Sequence, residues 1–229
     1  MSTVAELMEM LKAKADAAQL EGMARFGIET EQRWGVKVPE MRKIAKAVGR
    51  DHALALELWE TGVLEARIVA GMIGEPEKLT DAEMEAWVVG INSWDVCDQL
   101  CMNLFEKSPI VRRKIVEWAE REEEFVKRTA FALIACLAWH DKKATDESFE
   151  PFFPLMVREA TDGRNFVKKA VNWALRNIGK RNLNLNRLAL ACAREIQQID
   201  DKTARWIAAD AIRELENEKI QARLAAKVA

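Results

Sequence analysis

The sequence predicts an all-α protein built as a stack of antiparallel helix pairs. Its 229 residues are dominated by Ala, Leu, Glu, Lys and Arg, and Tyr is absent, a composition that favours helix almost throughout. No segment shows the alternation of apolar and polar residues expected of a half-buried strand. The tetrapeptide Phe-Val-Lys-Arg at 125–128 recurs as Phe-Val-Lys-Lys at 166–169, an offset of 41 residues that is typical of HEAT and armadillo repeats. We therefore expect a curved HEAT-like or armadillo-like helical solenoid.

Helix boundaries follow from apolar periodicity and from cap residues. The predicted helices cover 3–18, 22–26, 39–48, 52–60, 63–73, 80–90, 94–106, 108–120, 122–139, 147–160, 164–178, 184–198, 201–214 and 217–227. Pro39 is placed at the first helical position, Thr80 and Glu83 are expected to form a capping box, and Gly179 is expected to cap its helix. Because no linker rich in Pro, Gly or Ser is present, residues 1–229 are predicted to form one domain.

Composition and motif searches exclude several classes of protein. No run of about 18 apolar residues occurs, and the acidic N-terminus has no apolar segment of a signal peptide, so a cytoplasmic protein is expected. The four cysteines form no C-x-x-C pair and accompany only two histidines, which argues against a zinc site. Cys97 and Cys101, one helical turn apart, are expected to be buried, reduced thiols. A phosphate-binding glycine loop and a nucleophile elbow are also lacking. We expect no metal and no cofactor.

Charge is distributed unevenly along the chain. The formal net charge is −2, which argues against non-specific coating of nucleic acid. Residues 163–194, however, contain eight bases and no acid, whereas 120–124 and 146–150 are acidic. A one-sided basic patch on an acidic body predicts a local anionic partner.

The segment 93–100 predicts the start of a helix, with Ser93 as its N-cap. Four residues at helical spacing are expected to face the core: Cys97, Leu100, Cys101 and Leu104. Asp98 lies at the edge of this apolar stripe, one turn from Trp94. A carboxylate there requires either an ion pair with an arginine of a neighbouring helix or a catalytic role.

The helix predicted at 164–178 carries a second face apart from its apolar stripe. That face presents Lys169, Trp173, Arg176 and Lys180 at intervals of four, three and four residues. Either Trp173 packs between two layers under arginine stems, or the cations contact phosphates while the indole packs on a sugar or base.

Arg128, in the other copy of the repeat, is also expected to lie away from the apolar stripe of its helix. It is compatible with an ion pair to Asp98 or Glu124 and equally with a phosphate contact. The tryptophans at 34, 59, 87, 118, 139 and 206 are interpreted as packing residues, and His140 as a C-terminal cap.

Several motifs together resemble the DNA alkylation repair family of HEAT-like DNA glycosylases (the AlkD type). The motifs are Ser-Trp-Asp-x-x-Asp at 93–98, Lys-Arg-x-Ala at 127–130, Lys-Ala-x-x-Trp-x-Leu-Arg at 169–176, Gly-Val-Lys-Val-Pro-Glu-x-Arg at 35–42 and Met-Ala-Arg at 23–25. They occur in the family's order over nearly the whole chain.

This resemblance implies an enzyme of base excision repair that grips duplex DNA with a basic concave face. It implies hydrolysis of the N-glycosidic bond of cationic N3- and N7-alkylated purines. Asp98 corresponds to the catalytic carboxylate, Trp94 and Trp173 to the indoles lining the cleft, and Arg128 to the arginine beside the lesion phosphate. The remaining predicted DNA contacts are Lys127, Lys168, Lys169, Arg176 and Lys180. A monomer, associated with the nucleoid when bound to DNA, is expected.

Two departures keep alternative functions open. Ser93 stands where some family members carry a second tryptophan, and the chain is acidic overall. One alternative is a non-catalytic HEAT-like protein that recognises bent or branched DNA. The other is a protein-interaction solenoid in which Asp98 and Arg128 form a buried salt bridge.

Overall fold

Every regular element of the computed structural model is helical within the residues it describes, 2–28 and 31–226. The all-α prediction is confirmed for this part of the chain. Contacts group the chain into two compact units, Met1–Val111 and Arg112–Ala229; the single domain over 1–229 stays a prediction. None of the described helices combines the length and the apolar character needed to cross a bilayer.

The first unit contains seven α-helices among its described residues. They are α1 (Val4–Lys12), α2 (Ala17–Arg25), α3 (Val38–Val48), α4 (His52–Glu60), α5 (Leu64–Ile73), α6 (Asp81–Gly90) and α7 (Trp94–Asn103). Helix α5 packs against α3, α4 and α7. The predicted capping box of α6 is confirmed, because Thr80 Oγ1 accepts from the Glu83 amide at 3.2 Å while the Glu83 carboxylate accepts from the Thr80 amide at 2.8 Å.

The prediction of one helix over 3–18 is wrong. Asp16 caps α2 by accepting from the Ala18 amide at 3.1 Å, and its own amide donates to the Trp34 carbonyl at 2.9 Å. The chain turns at Asp16 to make these bonds, so α1 ends at Lys12 and the predicted short helix at 22–26 is the second half of α2. Pro39 occupies the second position of α3, one residue later than predicted.

A buried carboxylate holds the loop before α3. Glu65 is fully buried on α5, and one of its oxygens accepts from the amides of Trp34, Gly35 and Val36 at 2.9, 2.7 and 3.2 Å. Gly35 has φ +76°, and a Cβ there would overlap the Asp16 carbonyl, so both conformation and space require glycine. The Gly-Val-Lys-Val-Pro loop is therefore fixed by a contact that sequence inspection missed.

The second unit continues the series of helices. They are α8 (Val111–Ala119), α9 (Glu124–His140), α10 (Phe152–Arg158), α11 (Asn165–Gly179), α12 (Leu183–Gln197), α13 (Lys202–Leu215) and α14 (Glu218–Ala225). Helix α9 packs on α11, α11 on α12 and α13, and α14 on α12 and α13. Phe125 and Phe166, equivalent in the 41-residue repeat, stack with ring centroids 5.5 Å apart. Such neighbour-to-neighbour packing is typical of repeat proteins.

Two predicted boundaries in this unit need correction. The helix predicted at 147–160 is α10 alone, flanked by 3₁₀ turns at Asp146–Ser148 and Glu159–Thr161, since Pro151 has no amide to donate within a longer helix. Gly179 is the last residue of α11, and Lys180 occupies the C-cap. Space explains this glycine, because a Cβ would lie 2.7 Å from Leu215 of α13.

The prediction that the remaining tryptophans pack in the interior is only partly right. Trp59, Trp87 and Trp118 are buried, whereas Trp139 is 55% and Trp206 42% exposed. Both exposed indoles belong to the second unit. All four cysteines are buried, as predicted for Cys97 and Cys101, and burial raises the pKa of Cys192 to about 12.

Candidate functional site

Helix α7 is fixed by close packing of its apolar side. Its predicted core positions Cys97, Leu100 and Cys101 are fully buried. Leu100 lies so near α5 that a Cβ added to Gly71 would meet its Cδ2 at 2.7 Å. Ser93 occupies the predicted N-cap position, but its side chain makes no capping hydrogen bond. The orientation of α7 is therefore set by packing rather than by a side-chain cap.

Trp94 and Asp98 lie on the less buried side of α7, one turn apart, and both are partly exposed. The indole Nε1 of Trp94 donates to the Phe26 carbonyl at 2.9 Å, which fixes the orientation of the ring. Phe26 itself follows α2 and is 72% exposed, a feature that the sequence did not reveal. The arrangement provides a solvent-accessible carboxylate beside an oriented indole.

The first repeat copy turns its two cations inward. Lys127 is buried, with its Nζ 2.6 Å from Glu159 and 3.8 Å from Asp162. Arg128 is 5% exposed, and its Nη1 donates to the Phe166 carbonyl at 2.9 Å. A position away from the apolar stripe does not expose Arg128, because α9 is buried on all sides from Val126 to Ala138.

The second repeat copy faces outward. Lys169 is exposed and Lys168 partly exposed, with the Lys168 Nζ 5.5 Å from the ring centroid of Trp206. Trp173, one turn after Lys169, is partly exposed. Within residues 2–28 and 31–226, no ion pair involves Lys168 or Lys169. These two lysines remain available to an anionic ligand.

Acids on α13 and just outside the basic segment 163–194 pair with four of its eight bases. The Glu214 carboxylate forms ion pairs with Arg176 and with Lys180, at 2.7 Å for the lysine. The Arg176 Nε also lies 3.7 Å from Asp210. Asp162 pairs with Arg164, and Glu216 pairs with Arg194 at 2.8 Å. Residues 163–194 contain no acid, but acids from outside this segment lie beside several of its cations. The prediction of a one-sided basic patch is corrected accordingly.

Two carboxylates that hold these cations are charged at neutral pH. For Glu214, burial raises the pKa, but hydrogen bonds from Lys180 and Arg176 outweigh it and leave the pKa below 4.5. For Asp162, burial likewise raises the pKa, and hydrogen bonds from Arg164 bring it below 3.8. Both acids therefore compete with a bound anion for the cations of α11.

The predicted site residues divide between the two units. Trp94 and Asp98 belong to Met1–Val111, whereas the predicted DNA contacts and Trp173 belong to Arg112–Ala229. Among the described residues there is no group of three or more His, Cys, Asp or Glu side chains arranged to hold a metal ion.

Comparison with known proteins identifies the family and the fold. The family model described as DNA alkylation repair enzyme matches residues 7–215. One similar solved structure represents a family related to the HEAT-like repeat DNA glycosylases with affinity for branched DNA structures. It has 20% identity, a TM-score of 0.73, and coverage of 93% of this chain and 95% of that chain.

A designed armadillo repeat protein aligns with 16% identity and a TM-score of 0.44, over 92% of this chain and 100% of that chain; this score is too low to carry an argument. No curated protein matches. The HEAT-like helical fold is confirmed.

Proposed function

This chain belongs to the DNA alkylation repair enzyme family, and on that premise we propose that it is a DNA glycosylase. It would release cationic N3- and N7-alkylated purines from duplex DNA by hydrolysing the N-glycosidic bond. Asp98 would stabilise the charge that develops on the deoxyribose and hold the attacking water. Trp94 and Trp173 would contact the DNA around the lesion.

The chemistry explains why one carboxylate suffices. An alkylated N3 or N7 makes the purine cationic, so the base departs without protonation and no general acid is needed. Positive charge then develops on the sugar, as in glycoside hydrolysis. A fixed carboxylate near that charge lowers the barrier electrostatically, and indole faces attract electropositive groups.

The accessible position of Asp98 beside Trp94 is the observation that carries this proposal. Glu65 is the contrasting case, a carboxylate that is fully buried and accepts from three backbone amides. Asp98 instead lies on the partly exposed side of α7, and the neighbouring indole is oriented by the Phe26 carbonyl.

Lys168 and Lys169 are the best-supported of the proposed phosphate contacts, because both are accessible and pair with no carboxylate in the described part of the chain. Arg176 and Lys180 would reach a phosphate only in competition with Glu214. Lys127 and Arg128 are buried, so we assign them a supporting role in α9 unless DNA binding moves them.

Release of base from methylated DNA tests the proposal. The purified protein is incubated with duplex DNA containing N3-methyladenine and N7-methylguanine, and free base is quantified. We expect Asp98→Asn to lower the release rate on the order of 100-fold while DNA affinity changes little. Asp95→Asn, on the same helix, is the matched control and should retain activity. Absence of release from wild type under conditions of DNA binding would contradict the enzyme assignment.

The second candidate function is non-catalytic recognition of branched DNA. It is favoured by the similar structure, whose family has affinity for branched DNA structures, and by the neutralisation of several cations that a lesion-gripping surface would use. Under this alternative, wild type and Asp98→Asn would bind a four-way junction equally, more tightly than a plain duplex, and neither would release base.

A further inference from the structure

A cavity in the second unit is lined by two tryptophans and several cations. It has a volume of about 750 Å³, and it opens beside the C-terminal ends of α9 and α11. The lining residues used below are Trp139, Lys142, Trp173, Lys180, Arg181 and Arg223. This volume falls within the range of pockets that hold a small molecule or a nucleotide-sized group.

Trp139 is exposed, in contrast to the thirteen residues of α9 that precede it. The side chains of α9 from Val126 to Ala138 lie in the interior, whereas the Trp139 indole is 55% exposed. The His140 ring stacks on this indole at 5.1 Å between centroids. A large aromatic ring held at the mouth of a cavity contributes little to the core, and its free surface is suited to stacking with another planar group.

Charge favours an anionic ligand in this cavity. Four of its lining residues are cations, of which Lys180 is paired with Glu214, and Asp146 is the carboxylate among the lining residues. Both Asp146 oxygens already accept hydrogen bonds, from Asn182 at 2.7 Å and Asn184 at 2.9 Å. Lys142 and Arg223 are exposed, and no described carboxylate forms an ion pair with either side chain.

The cavity wall is held in place before any ligand binds. The Arg181 guanidinium donates to the carbonyls of Ala138 at 2.8 Å and Ala144 at 3.0 Å. It also lies 4.5 Å from the centroid of the Phe149 ring. These contacts join the end of α9 to the following loop, so the position of Trp139 is fixed relative to Lys142.

We propose that this cavity binds an unpaired nucleotide of DNA, with its base stacked on Trp139 and its phosphate held by Lys142 and Arg223. A base pair inside a duplex has both faces covered by its neighbours, so we assign the base that stacks on Trp139 to an unpaired tail or branch. Stacking on aromatic side chains beside cations is the general mode of single-strand binding. The inference rests on the proposed function, because it requires that the protein binds DNA. It adds a binding subsite and a preference for DNA with an unpaired tail or branch.

Three labelled DNAs test the subsite by fluorescence anisotropy. They are a blunt duplex, the same duplex with a short unpaired tail, and the tailed duplex with abasic sites throughout the tail. We expect wild type to bind the base-bearing tail about tenfold more tightly than the abasic tail. Trp139→Ala should abolish this difference and leave affinity for the blunt duplex unchanged. Trp139→Phe should retain most of the difference, because a planar ring remains.

The possible failures point to different claims. Binding of all three DNAs with equal affinity by wild type would overturn the subsite and leave the proposed glycosylase intact. A tail preference that survives in Trp139→Ala would also overturn it. Failure to bind any DNA, together with failure to release base, would instead contradict the proposed function itself.

Discussion

The two copies of the Phe-Val-Lys repeat differ in what they do with their cations. In α9, Lys127 and Arg128 are buried, and each is bound to the protein itself. In α11, Lys169 is exposed and Lys168 is partly exposed. Nearly identical residues at equivalent repeat positions thus serve the interior in one copy and the surface in the other.

The difference arises from what covers each helix. Helix α9 is buried from Val126 to Ala138, and a cation buried there needs a carboxylate, which Glu159 and Asp162 supply from the turns before α11. Helix α11 keeps an open side at Lys169 and Trp173. Equivalence in a repeat therefore predicts equivalent backbone position, but it does not predict exposure or function.

The largest test of this comparison is the loss of stability when each lysine is truncated. Lys127→Ala removes a buried ion pair with Glu159, although Glu159 keeps Arg158 and Asp162 keeps Arg164 as partners, and we expect the free energy of unfolding to fall by about 2 kcal/mol. Lys169→Ala, the matched surface variant, should change it by less than about 0.5 kcal/mol. Urea denaturation measures both, and equal losses would contradict the assignment of the two lysines to interior and surface.

A second test asks whether Glu214 masks the cations of α11. Glu214→Gln removes the charge that pairs with Arg176 and Lys180, so affinity for duplex DNA should rise about tenfold and its salt dependence should steepen. Glu216→Gln changes the net charge equally but affects only the pair with Arg194, and is the control. The masking idea fails if the two variants bind DNA alike.

A smaller effect is expected in the pH dependence of stability. The folded-state pKa of Glu214 lies below 4.5, so its contribution is present above that pH and is lost as the pH falls through the folded pKa. Unfolding followed across the acid range should show wild type losing more stability than Glu214→Gln. Parallel pH profiles would show that the Glu214 pairs contribute nothing to folding.

The smallest expected effect concerns the residues that make the two copies alike. Phe125 and Phe166 stack at 5.5 Å, and such a pair contributes about 1 kcal/mol beyond burial of its area. A double-mutant cycle with alanine at both positions, measured by denaturation, should return a coupling energy of that size. Additive losses would mean that the repeats pack without this contact.

Local signals in the sequence predicted most of the helices. Capping at Thr80, the buried stripe of α7 and the 41-residue repeat each depend on residues within a few turns or on one period. The predicted helix ends were wrong where a contact between residues far apart in the sequence determines the local structure. The break between α1 and α2 depends on the Trp34 carbonyl. The need for glycine at position 179 depends on the side chain of Leu215.

The candidate site was predicted to a smaller extent. The motifs singled out Trp94, Asp98 and Trp173, and the structure leaves all three partly exposed. Their catalytic and binding roles stay predictions. No signal in the sequence marks the exposed ring of Phe26. Helical spacing assigned Trp139 to packing, yet its ring is 55% exposed, because exposure depends on which neighbouring helices cover a residue.

By itself, the sequence determined the helical class, the repeat and the residue types available for chemistry, because periodicity, caps and motifs are local properties. Only the tertiary structure decided which charges remain available. Glu214 lies 34 positions from Lys180 in the chain, yet the two side chains meet at 2.7 Å. Charge pairing and burial depend on long-range packing. Of the basic run in the sequence, Lys168 and Lys169 therefore stay accessible, while neighbouring cations are paired with carboxylates.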